Sequence, residues 1–407
     1  MGVVIGPAAV YTLRVILSAL MLAACSGGYP SRPLPNVSGA PEVGEATDSP
    51  EAPEAPEAPE APGELRGVWV TRWTYGSAAE VETILGEIAD AGFNTVLFQV
   101  RGSFDAFYPS ELEPWSHHLG ELGRDPGWDP LAVAVEAGHA RGLAVHAYVN
   151  VFPFWQGAEP PSSEGVPHPY TAHPEWVVAD EDGAAMALND SYVFASPGNP
   201  EVRDHVAAVT ADIAGRYDVD GIHLDYIRYP QPYYSHDDAS EAAFPGGDRA
   251  EWQREQVRLT VGAVSEAVDV PVTAAVWGIY ENIWDWSGVS QGNIDYYQDS
   301  FSFLDRGLLD ATMPMIYWPV TEPEGERLDF KALARHHQDN AAGRHVYPGI
   351  SAEHGLDAAV ACVEAAREVG AAGVVLFDYS VARDWLKTFG ERVFSEPASV
   401  PPMPWRE

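Results

Sequence analysis

Asp225 stands in the segment Asp220-Gly221-Ile222-His223-Leu224-Asp225-Tyr226-Ile227-Arg228-Tyr229-Pro230, with His223 before it and Arg228 after it. A carboxyl group at the end of a β-strand, flanked by an imidazole and a guanidinium, can stay ionised or have its pKa tuned by those neighbours. It can serve as a nucleophile or a general acid/base; the bland alternative is an ion pair with Arg228 that only orders the loop. Hydrolysis of a glycosidic bond usually takes a second carboxyl group, and the separation of the two sets the stereochemical outcome. Three candidates fall at predicted strand ends or in the loops that follow: Glu353 in Gly349-Ile350-Ser351-Ala352-Glu353-His354, Asp299 in Asp295-Tyr296-Tyr297-Gln298-Asp299, and Asp378. Two have an obvious structural use as well, Asp299 as a carboxylate at a helix N-terminus and Asp378 as a partner for Arg383. The residue types leave the choice open.

Side chains suited to sugars surround these carboxyls in the sequence. Trp277 ends one predicted strand, Tyr317 and Trp318 end another, and Trp155, Trp284 and Trp286 sit in long connecting segments. Flat aromatic faces stack well on pyranose rings, whereas core aromatics belong on the apolar side of a strand. Arg101 and Asp105, in Phe98-Gln99-Val100-Arg101-Gly102-Ser103-Phe104-Asp105, are expected to bind hydroxyls or a carboxylate, or else to clamp each other. Metal chemistry is weakly supported. His117-His118 and His336-His337 are adjacent pairs, and no His-Glu-x-x-His occurs. No metal and no cofactor is expected.

These residues must be positioned by a repeating strand-helix pattern. Short β-rich runs fall at Leu65–Val70, Asn94–Arg101, Ala144–Asn150, Gly221–Tyr226, Val272–Trp277, Ala311–Tyr317, Val346–Ser351 and Gly373–Tyr379. Helical stretches lie between them, the clearest at Ala78–Ala91, Leu131–Arg141, Pro200–Tyr217, Arg249–Val268, Phe330–Ala341 and Leu356–Val369. Eight such units predict an α/β fold, a (β/α)8 TIM barrel with enlarged βα loops, rather than an open sheet. Side chains alternate between the two faces of a strand. Gln99 and Arg101 share one side of the second strand; His146, Tyr148 and Asn150 share one side of the third; His223 and Asp225 share one side of the fourth. On the eighth strand Val375 and Phe377 are read as the apolar side and Asp378 as the end of the other. Buried polar groups are costly unless paired or wetted, so this polar parity is expected to point into the barrel mouth.

Composition bounds the partners. The chain has 407 residues, 23 Lys+Arg against 60 Asp+Glu, and a formal net charge of -37. Nucleic acid is thereby excluded as a ligand for a general basic surface. With 46% hydrophobic residues a sizeable core can form, and two cysteines, Cys25 and Cys362, provide no disulfide framework. Residues 1–24 read as an export signal, with Arg14 ahead of a short apolar run and Leu22-Ala23-Ala24 before Cys25. This resembles the lipobox of bacterial lipoproteins, and implies lipidation of Cys25 and anchoring in the cell envelope, most simply at the outer membrane. Residues 25–63 form a Pro-rich linker with four Glu-Ala-Pro repeats. At about 3.1 Å per residue such a segment spans roughly 100 Å. The barrel domain is assigned to 64–392 and an irregular Pro-rich tail to 393–407.

Several motifs, in order from about residue 64 to 380, resemble the glycosyl hydrolase-like family 10 of bacterial lipoproteins. They are Leu65-Arg66-Gly67-Val68-Trp69-Val70-Thr71, Phe98-Gln99-Val100-Arg101-Gly102, Asp105-Ala106-Phe107-Tyr108, Glu113-Pro114-Trp115-Ser116, His146-Ala147-Tyr148-Val149-Asn150, Asp220 to Tyr226, Tyr297-Gln298-Asp299 and Pro314 to Trp318. The resemblance implies a glycosidase-type barrel, with bacterial cell-wall glycan as the substrate of some members. It favours Asp225 and Asp299 as site residues and Arg101, His146, Asn150, His223 and Tyr317 as pocket residues. The chain departs from the family where Val151-Phe152-Pro153 follows Asn150, where Tyr226 stands for a second Asp, and where Asp378 replaces a small polar residue. The expected function is that of an envelope-anchored glycoside hydrolase acting on a polysaccharide, including peptidoglycan glycan strands. Asp225 would act as nucleophile or base with Asp299 or Glu353 as acid; Arg101, Asp105, His146, Tyr148, Asn150, His223, Arg228, Trp277, Tyr317, Trp318 and Asp378 would bind the ligand. The rival expectation is a non-catalytic glycan-binding barrel that tethers the outer membrane to the wall.

Overall fold

The computed structural model describes residues 63–406. The expected signal segment, Cys25 and the linker up to residue 62 lie outside the described residues. Eight strand positions form one closed parallel barrel. They are β1 (Leu65–Val70), β2 (Thr95–Arg101), β3 (Ala144–Asn150), β4 (Gly221–Asp225), β5 (Val272–Trp277), β6 (Ala311–Ile316), β7 (Gly349–Ser351, preceded by the short piece His345–Val346) and β8 (Gly373–Phe377). Neighbours in sequence are neighbours in space; β7 pairs with both β6 and β8, and β8 with β1, which closes the ring. The expected TIM barrel is therefore the observed fold.

The outer helices are α1 (Ala78–Asp90), α2 (Pro130–His139), α3 (Pro200–Arg216), α4 (Arg249–Ala267), α5 (Ser300–Asp305), α6 (Phe330–Asp339), α7 (Leu356–Glu368) and α8 (Leu386–Val393). Their starts are written in the sequence. Ser77, Asp129, Asn199, Asp248 and Asp329 each accept a hydrogen bond from a backbone N–H of the first helical turn, and Pro occupies that turn in α2 and α3. Outward side chains such as Val96, Phe98, Ile222, Leu224, Val374 and Leu376 join the helices in the main apolar core. A second, smaller cluster fills the barrel itself, from Leu65, Trp69, Leu97, Tyr148, Ala275, Met313, Tyr347 and Val375.

Two features were not foreseen. The connection from β3 to α3 contains an antiparallel pair, Pro153–Gly157 with Asn189–Phe194. The C-terminal segment, expected as an irregular tail, packs on the barrel: Glu64 N donates to Ser399 O at 2.9 Å, and Trp405 Nε1 to Asp310 Oδ1 at 2.9 Å. One parity also needs correcting. On β8 it is Val375 that enters the barrel interior while Val374 and Leu376 face the helices, so Phe377 lies on the inward side and Asp378 does not continue it. No helix among the described residues is long and apolar enough to cross a membrane.

Candidate active site at the barrel mouth

Asp225 ends β4 on the inward parity and is 8% exposed. The Tyr148 hydroxyl donates to its Oδ2 at 2.7 Å, and the Tyr226 N–H donates to its Oδ1 at 2.6 Å. Tyr226 takes a left-handed φ of +54°, an unusual conformation for a bulky residue and one that clusters at functional sites. Burial pushes the Asp225 carboxyl up from the ordinary range and outweighs the lowering by Tyr148, the Tyr226 N–H and the Arg228 charge. The expected loop-ordering ion pair with Arg228 is not formed. Instead the Arg228 guanidinium carbon lies 4.7 Å from the Tyr226 ring centre, 5.2 Å from Trp277 and 5.1 Å from Tyr296.

Beneath Asp225 the interior is polar and paired. Trp69 Nε1–H donates to His223 Nε2 at 3.0 Å, so the remaining ring proton sits on Nδ1 and is directed at Thr273 Oγ1, 2.9 Å away. Burial, with the nearby His146, holds His223 well below the usual imidazole range, and it is neutral at neutral pH. His223 is fully buried and so orders the barrel floor rather than contacting a ligand. His146 lies lower still, opposite Gly221. A Cβ on Gly221 would approach the His146 ring to 2.6 Å, so the missing side chain is what makes room for it; burial lowers this imidazole to about 4. Asn150 is also buried, accepting from Gln99 Nε2 at 3.2 Å and donating to Gly102 O at 3.1 Å.

Arg101 does not reach the mouth. The β2–β3 register slips between Gln99 and Arg101, so Arg101 pairs with Val149 and turns to the outer side of the sheet. There it is wholly buried against Glu113, with Nη2–Oε1 at 2.6 Å, and donates to the carbonyls of Asn150 and Val151. Its partner is thus Glu113 rather than Asp105. Asp105 is buried separately, accepting from Ser103 N at 2.8 Å and from Ser116 Oγ at 2.5 Å. Burial alone would raise its carboxyl, but the His117 ring, the Arg72 charge and Ser116 hold it well below the usual range.

The other candidate carboxyls lie elsewhere, including the one favoured by resemblance. Asp299 faces the helical shell: Oδ2 accepts from Arg258 of α4 at 2.8 Å, Oδ1 from the Tyr280 hydroxyl at 2.8 Å, and the side chain caps α5. Asp378 caps the short helical turn Tyr379–Ala382 and accepts from Ser380 Oγ at 2.6 Å, while Arg383, its expected partner, goes to Glu87. Glu353 is exposed on the turn after β7 and forms no ion pair among the described residues. Among the aromatics, Tyr317 stacks on the inward Phe377 at 5.2 Å, and Trp277 lies tilted against Tyr296 at 4.5 Å. Trp318 instead packs against the core outside the barrel.

Sequence reasoning missed Arg72, Trp73 and Tyr192. Arg72, just past β1, is 2% exposed and donates from Nη2 to the Tyr192 hydroxyl at 2.6 Å. Tyr192 comes from the unforeseen antiparallel pair, and its ring lies 5.5 Å from Tyr226. Trp73 presents a 55% exposed indole beside Arg72. The Arg-Trp pair after a strand end was a readable signal; the arrival of Tyr192 was not. One ligand-like group of His and Glu occurs among the described residues, His173, Glu175 and Glu201, and it belongs to the β3–α3 connection and the start of α3.

Comparison with known proteins agrees with this architecture. Glycosyl hydrolase YngK of Bacillus subtilis (strain 168) is 28% identical over 287 residues, 63% of this chain and 54% of the relative. Glycosyl hydrolase DigH of Escherichia coli (strain K12) is 28% identical over 253 residues, 58% of this chain and 57% of the relative. The chain thus spans about half the length of these curated relatives. Among solved structures, the catalytic domain of a β-amylase from Paenibacillus polymyxa superposes with a TM-score of 0.55 at 13% identity, covering 84% of this chain and 100% of that one, which is a likeness of fold. The profile of Glycosyl hydrolase-like 10 matches residues 64–360, nearly the whole barrel, and the chain belongs to that family.

Proposed function

We propose that the protein is a glycoside hydrolase that cleaves a polysaccharide, with peptidoglycan glycan strands as its substrate, from an envelope position set by lipidation of Cys25. The observation that carries this reading is Asp225: a buried carboxyl at the C-terminal end of a barrel strand, held by a hydroxyl and an N–H, with no ion-pair partner among the described residues and displaced upward in pKa. A carboxyl raised in this way keeps its proton to higher pH, which suits a general acid in glycosidic bond cleavage. Trp277, Tyr296, Tyr317 and Phe377 supply aromatic faces around the mouth. With Asp299 bound to Arg258, Glu353 is the second carboxyl in this reading, acting as nucleophile or base.

The engagement of Asp299 also favours a second reading, a glycan-binding barrel without hydrolysis, because a binding module needs the aromatic rim but no pair of carboxyls. Incubation of the full chain, wild type and Asp225→Asn, with purified polysaccharides including peptidoglycan glycan separates the two. New reducing ends from the wild type and not from the variant support hydrolysis. Equal release by both removes Asp225 from the chemistry, and binding without release by the wild type supports the tether.

A further inference from the structure

Arg228 is the strongest feature of the mouth that acid/base chemistry does not use. Its guanidinium is held among the rings of Tyr226, Trp277 and Tyr296, three residues beyond Asp225. It forms no ion pair or hydrogen bond among the described residues, and its Nε is buried without a partner. The buried arginines Arg101 and Arg258, by contrast, are matched to carboxylates. A second guanidinium, Arg72, approaches through Tyr192, whose ring is 5.5 Å from Tyr226; it forms no direct ion pair among the described residues, although its charge also acts on the buried Asp105. Its Nε is likewise buried and unpartnered.

Leaving a guanidinium partly desolvated without a counter-ion is unfavourable. Packing it against aromatic faces restrains its plane, and a guanidinium with free N–H donors can receive a carboxylate bidentately. A neutral sugar has no use for such a charge. A carboxylate-bearing one would otherwise be repelled by the strongly negative chain, and a local positive focus at the mouth offsets that repulsion. We propose that the sugar bound beside Asp225 carries a carboxylate, and that Arg228 binds it with the Arg72 charge in support. The inference rests on the glycan reading above and names the chemical class within it: either a uronic acid or a sugar bearing a carboxyalkyl ether.

The full-chain protein is titrated, by calorimetry or ligand-observed NMR, with two pairs of sugars: glucuronic acid against glucose, and N-acetylmuramic acid against N-acetylglucosamine. One acid is expected to bind at least about tenfold more tightly than its neutral counterpart (about 1.4 kcal/mol), and the pair that shows the preference identifies the source of the carboxylate. Arg228→Gln is expected to abolish the preference and Arg228→Lys to restore part of it, with circular dichroism reporting that each variant folds. Equal affinity for acid and neutral sugar in the wild type overturns the proposal even if no variant folds, as does a preference that survives in folded Arg228→Gln. Binding of neither class overturns the glycan reading with it. An acid preference in a protein that cleaves no polysaccharide leaves this site standing and removes only hydrolysis.

Discussion

Replacing Glu113 by Gln tests whether the buried arginine of β2 is architecture or pocket. Glu113 and Arg101 have fully buried side chains, and His205 Nε2 adds a second contact to Glu113 at 2.8 Å. Burial alone would raise the Glu113 carboxyl, but Arg101 and His205 outweigh it and hold it down from 4.5 to about 2. At about 1.4 kcal/mol per tenfold, that displacement is worth about 3 kcal/mol of folded-state stability, in line with the roughly 3–5 kcal/mol lost when one member of a buried pair is removed. For a domain of roughly 340 residues, an unfolding entropy near 2.1 cal/mol/K per residue turns this into a fall in Tm of about 4 °C. The sign with pH is fixed. A depressed carboxyl contributes its stability above the ordinary range and loses it as pH falls from 4.5 toward 2, so the gap between wild type and Glu113→Gln must narrow over that window. Calorimetric melts from pH 7 to pH 3 read both quantities. Equal melting temperatures at pH 7, or a gap that ignores pH, would refute the assignment, and a loss of ligand affinity without loss of Tm would return Arg101 to the pocket.

Three further outcomes are expected. Asp225→Asn should reduce glycan cleavage by at least about 100-fold, yet melt higher than wild type at pH 7: a raised carboxyl favours the folded state below the ordinary Asp range and loses that advantage as pH rises, so the variant's gain should vanish in acid. Tyr148→Phe removes a donor that lowers the Asp225 pKa, so the limb of the pH–rate profile governed by Asp225 should move to higher pH, with cleavage down about tenfold from a lost hydrogen bond of roughly 1.5 kcal/mol. Asp299→Ala should cost about 1 kcal/mol or more in stability through the lost helix cap while leaving cleavage within about threefold of wild type; a hundredfold loss of kcat at unchanged Tm would put Asp299 back in the chemistry.

The barrel was legible because its signals are local. Eight β-rich runs alternating with helical stretches fixed the strands to within a few residues at each end. Asp225 was legible for the same reason, as a carboxylate on the polar parity of a short strand. Arg101 was misplaced because a register slip between Gln99 and Arg101 inverts the side on which everything beyond it falls, and no pattern of period two announces it. Asp299 was misplaced because a carboxylate at the first turn of α5 reads alike whether it faces the mouth or the helices; Arg258, 41 positions away in sequence, decides it. Tyr192 arrives from the middle of a long insertion, where only tertiary packing assigns a neighbour.

Three carboxyls of this domain, Asp105, Glu113 and Asp225, are nearly equally hidden, and what surrounds them separates their chemistry. Glu113 faces a guanidinium and an imidazole and is held down; Asp105 has the His117 ring, the charge of Arg72 and the Ser116 hydroxyl and is held well below the usual range. Such groups stay ionised across the working range of pH and can neither give up nor accept a proton there. Asp225 receives two donors but no counter-ion, because the cation nearest it in sequence, Arg228, is withheld among three aromatic rings. Burial then wins and the carboxyl moves upward. In the proposed reading the same withholding leaves Arg228 open to an anionic ligand, so one contact that the fold declines to make would serve both the proton donor and the binding charge. Bringing Arg228 onto Asp225 would stabilise the loop and extinguish both.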